Sequence, residues 1–105
     1  MHSKPPLARA LAMSTIVVAA GGRVSTVHSP EKRNETVLVH VATGKYYSLN
    51  RAGSFVWEQL KKPVSLGQIV DVMVTKFDVD RPRCEADVRD IIASLLDAGL
   101  VQARP

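Results

Sequence analysis

The sequence holds a single cysteine, Cys84, among 105 residues. That excludes an internal disulfide and a cysteine-rich zinc site. No apolar run approaches the roughly 20 residues of a membrane-spanning helix. There is no phosphate-binding loop and no dinucleotide fingerprint; Gly21-Gly22 alone marks a turn. Ser54 lacks the glycine setting of a nucleophile elbow. Asp78-Val79-Asp80 lacks the rest of a calcium loop and reads as turn and cap chemistry. Cys84 has no base beside it and reads as a small buried thiol at a helix start. His28 and His40 fall on strand-like stretches that can be neighbours, but no third ligand is placed near them. No catalytic constellation remains, and neither a metal nor a cofactor is expected.

What remains has the composition of a globular domain, with 46% apolar and 23% charged residues. Such a chain is not disordered throughout. Its length gives one domain, with room for one core and little room for an enclosed active site. The net charge is +4, and it is unevenly placed. Residues 1–50 hold six bases against two acids, whereas residues 51–105 hold eight of each.

Residues 1–12 carry Pro5 and Pro6 and no clear period, so they read as a flexible tail ahead of a domain spanning 13–105. Leu11 to Ala20 faintly resembles a secretory signal, but Ser14 and Thr15 interrupt it. Ile16-Val17-Val18 reads equally well as a strand, and a cytoplasmic protein is expected. The first strand region is Thr15–Ala19, with Val24–His28 after the two glycines. Glu31 to Glu35 is a polar turn. Thr36–Ala42 is the clearest strand, its valines alternating with Leu38 and His40. Thr43-Gly44 then turns the chain into Lys45–Leu49, where Tyr46 and Tyr47 face opposite ways.

From Asn50 the apolar period changes from 2 to 3.6. Asn50 is a good cap for a first helix with Ala52, Phe55, Val56 and Leu60 on one stripe, and Pro63 ends it. Ser65 and Gln68 form a capping box that opens a second helix, with Leu66, Ile69, Val70, Met73 and Phe77 on one face. A third helix runs from about Arg83 to Ala98, with Val88, Ile91, Ile92, Leu95 and Leu96 as its stripe and Gly99 as its terminator. Leu100-Val101 is placed to pack back on the sheet. The expected class is α+β: a three-stranded antiparallel sheet followed by three helices, similar to a winged helix-turn-helix.

A DNA reader of that shape needs Arg, Lys, Asn or Gln on its recognition helix. The third helix offers Glu85, Asp87, Asp90 and Asp97 against Arg83 and Arg89, a face that repels phosphate. Nucleic-acid binding is therefore not expected. Two features fit peptide binding better. Lys45–Leu49 is the last strand of a meander and so a sheet edge, which can accept an added strand. The third helix has five large apolar residues, some of which can floor a groove beside that edge. Pattern alone leaves open whether the whole stripe is core.

The run Gly44-Lys45-Tyr46-Tyr47-Ser48-Leu49-Asn50-Arg51-Ala52-Gly53, followed by Val56-Trp57, resembles the G-x-Y-x-x-L-N-x-x-G…W signature of PqqD-like proteins. The likeness continues through the second helix, through Ala86-Asp87-Val88 and Leu95-Leu96, and into Ala98-Gly99-Leu100-Val101. It is greatest to the small stand-alone leader-binding proteins of lasso-peptide biosynthesis, which are recognition elements for ribosomally made, post-translationally modified peptides (RiPPs). The resemblance implies a non-catalytic adaptor acting in trans, with no membrane and no nucleic acid among its partners. The precursor's leader would add as a strand along Lys45, Tyr46, Tyr47, Ser48 and Leu49. Its apolar side chains would sit on Val88, Ile91 and Leu95 of the third helix. Asp87 or Asp90 would pair a basic leader residue or simply face solvent. Asn50 and Gly53 are expected to be structural, and Trp57 to be core or an interface with the partner enzyme. The resemblance implies a separate, cysteine protease-like leader peptidase as that partner, with a radical-SAM enzyme as the alternative.

Overall fold

The computed structural model describes residues 11–28 and 36–104. Residues 1–10 of the expected tail at 1–12 and the polar turn at 31–35 lie outside the described residues. Leu11, placed by the sequence reading in the tail, is buried, and its carbonyl accepts a hydrogen bond from Arg89 Nε at 3.1 Å.

The elements in chain order are β1 (Ile16–Ala19), a 3-10 turn at Gly21–Arg23, β2 (Val24–His28), β3 (Thr36–His40), β4 (Tyr46–Leu49), α1 (Arg51–Gln59), β5 (Val64–Ser65), α2 (Leu66–Lys76), α3 (Arg81–Asp97) and β6 (Val101–Arg104). The α+β class and the three helices are as expected. The single three-stranded sheet is not: the strands form two antiparallel three-stranded sheets, ordered β5-β1-β6 and β2-β3-β4. β1 does not join the meander. It pairs with β6 from Ile16 opposite Arg104 to Ala19 opposite Val101, and with β5 at Val17 opposite Val64. The reason is burial. Val17 is wholly inaccessible, and the partners it needs come from segments far along the chain. Leu100-Val101 does pack back, Leu100 into the core and Val101 as the first residue of β6 in this second sheet.

The helices begin where capping chemistry allows. Asn50 Oδ1 accepts from Gly53 N–H at 2.8 Å and opens α1. Ser65 and Gln68 exchange both bonds of a capping box at α2. Asp80 accepts from Arg83 N–H, so α3 starts at Arg81, two residues earlier than expected, with Pro82 in the first turn where its missing N–H costs nothing. At the other end Gly99 has φ +75°, with Gly99 N–H donating to Leu96 O and Leu100 N–H to Leu95 O. This is the Schellman pattern, which favours glycine. A Cβ on Gly99 would also lie 3.3 Å from His40 Nε2.

One core joins both sheets to the helices. Val17, Leu38, Val56, Leu60, Leu66, Ile69, Val70, Val88, Ile92 and Leu100 are fully buried. Each such side chain contributes about 1.5–3 kcal/mol of transfer free energy. α2 and α3 form the most extensive helix pair, and α1 touches both β4 and α3. No described helix is long and apolar enough to cross a membrane.

Candidate functional site

Among the described residues β4 is the edge of its sheet, paired with β3 alone. The direction of its main-chain groups follows from the register. His40 N–H donates to Lys45 O at 2.9 Å, so residues 40 and 45 form a hydrogen-bonded pair. Such pairs alternate along an antiparallel ladder. Tyr47 and Leu49, opposite Leu38 and Thr36, therefore turn their N–H and C=O groups toward β3. Tyr46 and Ser48 turn theirs outward. The bond from Val41 N–H to Arg23 O gives the complementary parity on the β2 side, as a middle strand requires. β4 thus presents two residues' worth of outward main-chain donors and acceptors.

Side chains alternate perpendicular to this. Tyr47 and Leu49 are half-buried and pack against the core, while Tyr46 is 73% exposed. The two tyrosines do face opposite ways. On the outer face, Tyr46 stands opposite Val39, and Val27 opposite Val37; Val27, Val41 and Tyr46 are all exposed.

α3 supplies the other expected wall, and here the structure separates the five candidates. Val88 is wholly buried and Leu95 nearly so, with 0% and 4% exposure. Both are core, so neither offers a surface to a peptide; they lie on the side of α3 that turns inward with Cys84 and Ile92. Ile91 and Asp90 are half-buried, and Asp87 is exposed. Of the three apolar contacts expected on this helix, Ile91 is the one with accessible surface. Trp57 is core, 7% exposed. Gly53 is buried, and a Cβ there would lie 3.4 Å from both Asn50 Oδ1 and Leu49 Cβ, which fits a close-packing role.

A cavity of about 360 Å³, which the sequence reading missed, opens where the three helices meet. It is lined by Arg51 and Ala52 from the start of α1, Met73 and Phe77 from the end of α2, Val79, and Arg83, Cys84 and Asp87 from α3. Phe77 is fixed edge-to-face against Phe55, ring centroids 5.1 Å apart. Cys84 is buried, and burial first, then the Asp87 charge, pushes its thiol above the ordinary cysteine range. That makes it a poor nucleophile. The corner between α2 and α3 is tied by Arg81, 2.7 Å from Asp71 and 3.4 Å from Glu85.

His28 and His40 do lie on adjacent strands, but at opposite ends of the ladder. Among the described residues no three His, Cys, Asp or Glu side chains are grouped to hold a metal.

Residues 35–101 match the family model described as coenzyme PQQ synthesis protein D (PqqD). The structure is similar to TbiB1 in complex with the TbiA(beta) leader peptide, at 32% identity and TM-score 0.71, covering 81% of this chain and 94% of that one. It is also similar to the PqqD truncation of Methylobacterium extorquens PqqCD, described as a stand-alone RiPP recognition element, at 21% identity and TM-score 0.72, covering 90% and 97%. A third likeness is to lasso peptide synthetase B1 complexed with its leader peptide, at 20% identity and TM-score 0.69, covering 85% and 98%. Curated protein sequences give no match.

Proposed function

The chain belongs to the PqqD family of RiPP recognition elements, and from that premise we propose that it binds the leader of a ribosomally made precursor peptide as an added strand on β4. The observation that carries this reading is the bare edge of β4, where Tyr46 and Ser48 aim their main-chain groups away from β3. An added strand gains affinity from those groups with little demand on sequence, and specificity from the side chains beside them. Ile91, Asp87 and Asp90 are the α3 residues placed to meet such side chains. The protein acts as a non-catalytic cytoplasmic adaptor. Ordering a flexible leader has a free-energy cost, so part of the contact energy does not appear as affinity.

The finer reading is a place in lasso-peptide biosynthesis, where a separate, cysteine protease-like leader peptidase receives the bound precursor. The likeness to lasso peptide synthetase B1 with its leader supports the lasso reading, and the likeness to TbiB1, at 32% identity, supports leader binding. The exposed Val27, Val41 and Tyr46 on the outer face support a second protein partner beside the leader. Holding both would raise the effective concentration of the precursor at the peptidase. The second reading is a peptide chaperone for a radical-SAM enzyme; the family model's description, a coenzyme PQQ synthesis protein, favours a pathway other than that of lasso peptides. The winged helix-turn-helix likeness remains a reading of the helix order; the acidic Glu85, Asp87 and Asp97 of α3 weigh against duplex DNA.

The test is a fluorescence-anisotropy titration of the labelled TbiA leader, and of the leader of any precursor found encoded near this chain. Saturable binding, lost in a folded Ser48→Pro variant and weakened in Ile91→Asp, is the expected result. No binding by folded wild type up to about 100 μM defeats the reading for that leader. Co-purification with the peptidase or with a radical-SAM enzyme separates the two pathway readings.

A further inference from the structure

The cavity between the helices has walls and a mouth of different chemistry. Ala52, Met73, Phe77, Val79 and Cys84 give it an apolar lining, while Arg51, Arg83 and Asp87 are exposed at its mouth. The Arg51 guanidinium lies over the Phe77 ring, 5.9 Å from its centroid. Among the described residues neither Arg51 nor Arg83 forms an ion pair. Their neighbour Arg81 forms two. Asp87 is one turn beyond Arg83 on α3, yet no ion pair joins them. The helix caps near the cavity are already engaged, Asn50 with Gly53 N–H and Asp80 with Arg83 N–H. Two unpaired guanidiniums and one carboxylate therefore rim an apolar hole, an excess of one positive charge.

We propose that this cavity is an anchor site for a large apolar side chain carried next to a carboxylate, that is, for an aromatic or aliphatic residue flanked by Asp or Glu in the bound peptide. Charge complementarity sets the preference. A guanidinium with no partner takes a carboxylate through two parallel hydrogen bonds, and the apolar wall behind it limits competition from water. Position makes the site relevant to β4. Arg51 opens α1 two residues after β4 ends at Leu49. A peptide antiparallel to β4 brings its N-terminal flank to that end of the strand, and so to the mouth of the cavity. The identity of the occupant as leader peptide rests on the reading above; the preference for an acidic-apolar group does not.

The test uses three isosteric probes, 3-phenylpropanoate, 3-phenylpropanol and 3-phenylpropylamine, titrated into the ¹⁵N-labelled full chain. The carboxylate should shift the amides of residues 51–52, 77 and 83–87 saturably and bind about 5-fold more tightly than the alcohol, with the amine weakest. The double variant Arg51→Ala/Arg83→Ala should bring the carboxylate below the alcohol, since Asp87 alone then rims the cavity, and Asp87→Asn should strengthen the carboxylate. All three side chains are exposed, so the fold is not at stake. Equal binding of the three probes, amine preference, shifts elsewhere on the surface or no shifts overturns the proposal. A leader that binds β4 without displacing phenylpropanoate overturns the anchor assignment while leaving leader recognition intact. Carboxylate-selective binding here with no leader bound anywhere supports the site's preference and places the failure in the recognition reading.

Discussion

The two sheets have three strands each and are built in opposite ways. The β2-β3-β4 sheet is a local meander with β3 in the middle and, among the described residues, bare edges on both sides. The β5-β1-β6 sheet is assembled from segments near residues 16, 64 and 101, with β1 held on both flanks. β1 is further tied down at its C-terminal end, where Ala19 N–H donates to Leu60 O and Ala20 N–H to Leu100 O. The segment before it is pinned as well, by bonds from Gly67 N–H to Met13 O and from Leu66 N–H to Thr15 O. The difference separates two duties. The non-local sheet closes the fold, and the local sheet keeps an edge available to something outside it.

Breaking each sheet at its most critical residue is the strongest test of that division. Val17→Asp puts an unpaired charge at a wholly buried position of the central strand and should leave the chain unfolded at 25 °C by circular dichroism. Ser48→Pro on β4 should leave the fold in place, because the N–H it removes faces outward, yet lower leader affinity at least 10-fold. An unfolded Ser48→Pro protein would mean that the edge serves stability as well.

Leu38→Ala and Val27→Ala sharpen the comparison within the meander. Leu38 is fully buried on its inner face, so truncation should cost about 2–5 kcal/mol in urea unfolding. Val27 is exposed on its outer face and should cost no more than about 0.5 kcal/mol. Similar losses at both would show that the outer face is covered. Gly99→Ala, where α3 hands the chain to β6, should cost about 1–2 kcal/mol from the positive φ alone, with the His40 ring adding to it.

The smallest effect is chemical. Because its pKa is raised, Cys84 holds less thiolate at a given pH than a free cysteine, so its alkylation by iodoacetamide in the native protein should be slower and should rise at higher pH than usual. Ordinary free-thiol kinetics at pH 8 would show that Cys84 is accessible and not buried.

The same division explains what could be read from the residues. β3 and β4 announce themselves by alternation and by the Thr43-Gly44 turn, and the three helices by stripes and caps, because these signals are confined to a few neighbouring residues. The β1–β5–β6 sheet leaves no such trace. Its pairings join residues about 50 and 90 positions apart, and β5 is two residues long. Periodicity also cannot tell core from groove. Val88, Ile91 and Leu95 share a stripe, but α1 and α2 cover the inward side of α3 and leave Ile91 at the margin. The cavity escaped because three helix ends make it, each contributing residues that look unremarkable alone. The one local hint was Arg51, a cation directly beside the β4 motif.

The antiparallel pairing of β1 with β6 has a consequence for how this unit can be joined to others. Ile16 and Arg104 are register partners, so the first and last strands of the described fold are neighbours, about 4.8 Å apart. A body whose first and last strands are paired draws together the regions through which it can be joined to a host protein. The fold is in that sense a cassette, closed at the point where it would be plugged in.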